Sequence, residues 1–160
     1  MALTSYVKVT GATQGEIKGG STQSGDKADA ILCYAYEHNI EIPKDTHTGL
    51  PTGQRIHHPY TIEKAIDVAS PKLFKAVCSG EQLTVQHDFY RISSDGTEEL
   101  YYSIKLEEAI IVDMQHFTPE TFLTESKPYT DMEKVSLTYS KMTQTYSDGN
   151  IEATDSWSGD

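Results

Sequence analysis

Apolar side chains recur at every second position along most of this chain, the period expected of strands with one face in a core. From Arg55 onward, Ile56, His58, Tyr60, Ile62, Lys64, Ile66 and Val68 share one parity, and His57, Pro59, Thr61, Glu63, Ala65 and Asp67 the other. The spacing predicts a long strand with its even positions inside. Ser70-Pro71 then offers an N-cap followed by proline at the first helical position, where the missing N–H costs nothing. Leu73, Phe74 and Val77 form a short apolar stripe at helical spacing, and Gly80 suits a left-handed C-terminal cap. The pattern predicts a helix over residues 71–79, anchored to the body by Leu73, Phe74 and Val77.

The rest reads as strand and turn. Leu3 to Val9 is a first strand, and Gly11 to Lys27 is loop with a short strand near Ile17. Ala30 to Ile42 is a second strand, with Leu32, Tyr34, Tyr36, His38, Ile40 and Ile42 on one face. Leu83, Val85, His87 and Phe89 alternate, the turn Ser93-Ser94-Asp95-Gly96 follows, and Leu100, Tyr102, Ile104 and Leu106 resume, which is a hairpin. Ile110, Val112 and Met114 keep the parity of that last strand. Met132 to Tyr146, a turn at Ser147–Asn150, and Ile151 to Trp157 predict a closing hairpin. Cys33, Ala35, Tyr90, Ile92, Met142 and Tyr146 fall on the outward parity, which suits strands covered on both sides or a face that meets another protein. These readings predict a single domain over residues 1–160, mainly β, a barrel or sandwich with one helix.

One stretch breaks the pattern. Pro43 to Gly53, PKDTHTGLPTG, has almost no apolar content and is longer than the usual hairpin connection. It is too polar for the core, and long ordered loops tend to carry function. Its prolines restrict the chain and lower the entropy lost on docking. Lys44, Asp45, Thr46, His47, Thr48, Gly49 and Leu50 are therefore the candidate contact residues.

Charge narrows the partners. The 160 residues carry a net charge of −11. Residues 1–80 hold eight basic and eight acidic side chains, so the whole surplus lies in residues 81–160. Such a surface repels phosphate, and the reading excludes nucleic acid. No apolar run is long enough to span a bilayer, so no membrane insertion is expected. The start, MALTSYVKV, lacks the basic and apolar regions of a secretory signal, so any export is expected to use another route. Cys33 and Cys78 are too few for a disulfide framework and are expected to be reduced and buried.

Catalytic patterns are thin. His57 and His58 are adjacent, so a strand points them to opposite faces. His38 lies on an apolar face, where a satisfied core histidine is the plain reading. There is no H-E-x-x-H, C-x-x-C, EF-hand or G-x-S-x-G pattern. Glu98-Glu99 and Glu107-Glu108 are neighbours that face apart on strands. No metal, no cofactor and no enzymatic activity are expected.

In order and spacing, several short motifs resemble the haemolysin co-regulated protein (Hcp) family, the tube subunit of the bacterial type VI secretion system. They are Glu37-His38-Asn39, Thr52-Gly53, Arg55-Ile56-His57, and Ser70-Pro71 with Leu73 and Lys75-Ala76-Val77. The set closes with Tyr146-Ser147-Asp148-Gly149-Asn150-Ile151 and Asp155-Ser156-Trp157, so the resemblance runs over residues 4–157. It implies a compact β-barrel of two sheets with the helix packed on its side. It implies homohexameric rings that stack into a hollow tube, with Lys44–Leu50 as the stacking loop. It also implies sheath and spike or baseplate partners and small effector proteins in the lumen. The subunit would assemble in the bacterial cytoplasm and then be secreted without a signal peptide. Two other classes stay open on the residues alone. One is an enzyme using the histidines and carboxylates. The other is a monomeric carbohydrate-binding module, with Tyr34, Tyr36, Tyr101, Tyr102 and Trp157 as stacking residues.

Overall fold

A computed structural model describes residues 1–159. Its strands are β1 (Ser5–Gly11), β2 (Gly15–Ile17), β3 (Ile31–Cys33), β4 (Ala35–Glu37), β5 (Ile40–Glu41), β6 (Ile56–His57) and β7 (Tyr60–Ala65). The helix α1 (Ser70–Ser79) follows, then β8 (Leu83–Ile92), β9 (Glu98–Phe117), β10 (Met132–Thr138), β11 (Lys141–Tyr146) and β12 (Ile151–Ser156). The fold is mainly β and barrel-like, as expected. One face of the barrel is built from β1, β2, β3, β8, β11, β12 and the first half of β9. The other contains β4, β7, β10 and the second half of β9.

Two segments stitch these faces together. The 20-residue β9 pairs with β8 and β11 through its first half and with β10 through its second. The segment 31–37 does the same on the far side. There β3 pairs with β1, the Tyr34 N–H donates to the Glu63 carbonyl at 2.9 Å, and β4 pairs with β7. The core between the faces includes Val7, Val9, Ile31, Ile62, Leu83, Val85, Ile104, Leu106, Ile111, Val135 and Leu137.

Crossing between faces is also where the parity expectations fail. Ala30 to Ile42 is not one strand with even positions inside. Ile31 and Cys33 are buried, while Tyr34, Tyr36, Ile40 and Ile42 are exposed. The break at Tyr34 lets the segment leave one sheet for the other. The stretch 55–68 is also interrupted. His57 points inward on β6 and Ile56 outward, whereas Tyr60, Ile62 and Lys64 point inward on β7. Between them lies Pro59, which has no N–H for a ladder. Beyond Ala65 the strand has ended, and Ile66 and Val68 are exposed.

The parity of β9 advances at its bend. Leu106 is buried, Glu108 has φ 51°, and the next inward residues are Ala109 and Ile111, not Ile110 and Val112. A second register shift follows on the β10 side, after which Met114 packs against the core. An extra residue in one strand of a pair has this effect. The expected strand 132–146 is likewise split at Tyr139-Ser140, so that β10 and β11 wrap opposite halves of β9. Met142 and Cys33, both on the expected outer parity, are buried.

Helix α1 ends at Gly80, with φ 67°, whose N–H donates to the Ala76 carbonyl. Leu73 and Ala76 are buried and Val77 packs against the core. Phe74 does not anchor the helix: it is 58 % exposed. One residue turns the helix by about 100°, so Leu73 and Phe74 cannot share a narrow contact. Ser70 is the first helical residue rather than its cap, and the Asp67 carboxylate accepts the Ala69 N–H at 2.9 Å. The Ser70 hydroxyl turns inward and donates to Glu133 at 2.7 Å. Cys33 is buried, which pushes its thiol up to about 11, but Cys78 is exposed on α1, contrary to expectation.

Candidate functional site

The polar stretch 43–53 is the tip of a hairpin arm. Its stem is β5 paired with β6, Ile40 opposite His57 and Glu41 opposite Ile56. The His58 N–H continues the ladder to the Asn39 carbonyl at 3.1 Å. Further out, the Thr52 N–H donates to the Pro43 carbonyl at 2.8 Å and the Asp45 N–H to the Leu50 carbonyl at 2.9 Å. The turn closes on Asp45. Its Oδ1 accepts the backbone N–H of His47 at 2.9 Å and of Thr48 at 2.8 Å, and the Thr48 hydroxyl at 3.1 Å. The Thr48 and His47 N–H groups hold the Asp45 carboxyl below its ordinary range. Gly49, at φ 73°, supplies the left-handed turn residue, which a side chain would strain.

This chemistry makes the arm a defined object rather than a slack loop. Lys44, Thr46, His47, Thr48, Gly49 and Leu50 are all exposed, and Asp45 is half-buried by its own turn. The stem also presents Ile40, Ile42 and Ile56, and the tip Leu50, all exposed. Solvent-facing isoleucines therefore stand on a hairpin held by its own backbone bonds.

The arm is rooted by a polar cluster that the sequence did not reveal. Asp155, on β12, receives the Arg55 guanidinium through Nε and through a second nitrogen at 2.6 Å. His57 Nε2 lies 2.8 Å from Asp155 Oδ2, and His57 Nδ1 lies 2.7 Å from the Tyr139 hydroxyl. His38 Nε2 reaches the same hydroxyl at 2.8 Å. Trp157 stacks on His57, with ring centroids 5.7 Å apart. Arg55, and then His57, hold the Asp155 carboxyl down to about 2. His57 and Tyr139 are buried, whereas Asp155 keeps solvent contact. Arg55, His57 and Asp155 sit within the short motifs shared with the Hcp family, but the partner Tyr139 lies in no pattern that spacing could expose.

Two other polar clusters lie inside the barrel. His87 is fully buried, with Nδ1 2.6 Å from the Tyr60 hydroxyl and Nε2 2.7 Å from the Ser5 hydroxyl. Lys64 and Glu133 form a fully buried ion pair under the N-terminus of α1. Lys64 also reaches Asp67 at 3.0 Å and the Ala65 carbonyl at 2.9 Å. Glu133 Oε2 is buried with no hydrogen-bond partner, and His116 Nε2 stands 3.1 Å away without the alignment to donate. Among the described residues, no group of three or more His, Cys, Asp or Glu side chains could hold a metal ion.

The five aromatic residues of the carbohydrate-binding alternative do not form one platform. Tyr36 stacks on Tyr60 at 5.6 Å and meets Phe89, which leads to Tyr102 and Tyr101. Trp157 is spent on His57, and Tyr34 lines a separate hollow of about 340 Å³ with Pro128, Tyr129, Thr130 and Met132.

Comparison with known proteins agrees with this fold. Residues 6–146 match the family model described as type VI secretion system effector, Hcp. The major exported protein of Pseudomonas aeruginosa is 37 % identical over 98 % of this chain and 96 % of its own length. A crystal structure of an Hcp protein superposes with a TM-score of 0.89 at 28 % identity, covering 96 % of this chain and 97 % of that one. Hcp1 from E. coli EAEC 042 gives 0.85 at 35 % identity, covering 98 % and 99 %.

Proposed function

This chain belongs to the Hcp family of type VI secretion proteins, and from that premise we propose that it is the repeating subunit of the secretion tube. Six copies close a ring, and rings stack along their axis through the arm. The reading assigns no reaction to the chain. It supplies a wall, exported with the tube, that meets sheath and spike proteins outside and small effector proteins within. The observation that carries it is the arm itself. A hairpin with exposed isoleucines on its stem and an internally capped polar tip contributes no apolar residue to the core of the barrel. A head-to-tail contact that closes by rotation gives a ring, and axial repetition of rings gives a filament.

Replacing Lys44–Leu50 with a short Gly/Ser turn tests the assignment. The variant is expected to stay folded and keep the mass of the parent ring by light scattering. Electron microscopy should show single rings without tubes, and secretion should be lost. Normal stacking and export would refute the role of the arm. Only monomer for the parent protein across micromolar concentrations would favour the monomeric binding module instead.

A further inference from the structure

The root of the arm contains one hydroxyl shared by two histidines, and its proton count is constrained. Asp155 is ionised at neutral pH, so His57 Nε2 must carry the proton that the carboxylate accepts. Burial pushes the Tyr139 hydroxyl up, so it stays protonated and has one hydrogen to donate. With His57 neutral, its Nδ1 accepts from Tyr139, and His38 Nε2–H donates to the Tyr139 oxygen. With His57 protonated, the direction reverses. His57 Nδ1–H then donates to the Tyr139 oxygen, and Tyr139 donates to His38 Nε2, whose own proton moves to Nδ1. Both arrangements satisfy the Tyr139 hydroxyl and the two ring nitrogens that face it.

A third arrangement does not. If both rings carry two protons, both N–H groups face one oxygen, and the hydroxyl hydrogen of a residue only 4 % exposed has no acceptor. Two like charges then stand with ring centroids 6.5 Å apart. Burial, and next the neighbouring His57 and His58, already lower the affinity of His38 for a proton. The remaining charged groups around the cluster are committed elsewhere: Arg55 to Asp155, and His58 to Glu41 at 2.8 Å. Tyr60, whose ring lies 5.5 Å from that of His38, gives its hydroxyl to His87.

We propose that the Tyr139 hydroxyl is a proton-counting latch for the arm: it accommodates one added proton and opens on the second, releasing His38 and loosening the first strand of the arm in acid. His38 is the half that leaves, because His57 remains tied to Asp155 and stacked on Trp157. His38 leads through Asn39 directly into β5, so its departure leaves β5 held to the body only through its ladder to β6. The latch itself is read from the cluster alone; its effect on ring stacking rests on the reading of the arm given above.

Hydrogen exchange of the arm amides over residues 39–58 tests it in the purified protein, whatever its assembly state, between pH 7.5 and pH 5. The control is His38→Gln, whose amide can donate to Tyr139 but cannot titrate. Comparing the two proteins at the same pH removes the intrinsic pH dependence of exchange. Equal protection at pH 7.5, with the parent exchanging at least about tenfold faster at pH 5, is the expected result. Tyr139→Phe should exchange fast at both pH values. Equal exchange of parent and His38→Gln at pH 5 overturns the latch. Tube disassembly is followed separately by light scattering. A step in exchange with no change in stacking upholds the latch and instead counts against the arm as the stacking element.

Discussion

Leu73 and Phe74 are neighbours in sequence with opposite fates. Leu73 is 2 % exposed and faces the barrel, whereas Phe74 is 58 % exposed. Removing the Leu73 side chain leaves a cavity, so Leu73→Ala should cost about 2–5 kcal/mol in chemical denaturation. Phe74→Ala should stay within about 0.5 kcal/mol, as for ordinary surface positions. Equal losses in the two variants would contradict the orientation of the helix. An apolar stripe of three residues shows that a helix has an inner face but leaves its angular centre open. Buried Ala76 fixes that centre, and alanine carries little signal in a hydrophobic pattern.

At the scale of elements, the seat of α1 is polar where the sequence suggested grease. Lys64 alternates with the core residues of β7 and is as deeply buried as they are. Its ammonium is satisfied by Glu133, Asp67, Ser70 and the Ala65 carbonyl, and this cluster joins α1 to β7 and β10. Breaking one partner of a buried pair strands the other charge, so Lys64→Met should destabilise by about 3–5 kcal/mol. Adding Glu133→Leu should restore most of that loss, because two apolar groups of similar size need no pairing. A single-variant cost under about 1 kcal/mol, the scale of an exposed pair, would show that the pair is solvated.

The same scale explains what the sequence made legible. The β class, the helix with its glycine cap, the β8–β9 hairpin and the polar tip of the arm all depend on local patterns. Tyr34, Pro59 and Glu108 mark where a strand changes sheet or register, and a one-residue shift there reverses every prediction downstream. The arm root was hidden for a further reason. Tyr139 and Asp155 are far from His38 and His57 in sequence and meet them only once the barrel forms.

For the molecule as a whole, the buried His87 links stability to pH. Burial lowers it to about 3 in the folded protein, while the unfolded chain takes up the proton near 6.5. The unfolded state therefore binds the proton more readily, and acid favours unfolding. The contribution is complete above about pH 6.5 and falls by about 1.4 kcal/mol for each unit below it, until pH 3. His38 shifts in the same direction, so a control is needed. His87→Gln should reduce the loss of stability between pH 7 and pH 5 by about 2 kcal/mol. An identical loss in both proteins would mean that His87 is already charged or exposed.

The strand β9 also has a mechanical consequence. The Arg55 and His57 contacts carry the arm onto Asp155 of β12, β12 is bonded to β11, and β11 to the first half of β9. The second half of β9 belongs to the opposite face. A push on the arm tip therefore enters one strand edge and is shared by both walls through a single unbroken backbone. On the proposed tube reading, the chain would act as a truss in which no wall bears the thrust alone. On the proposed stacking, force would pass from copy to copy through β9 and its bend at Glu108.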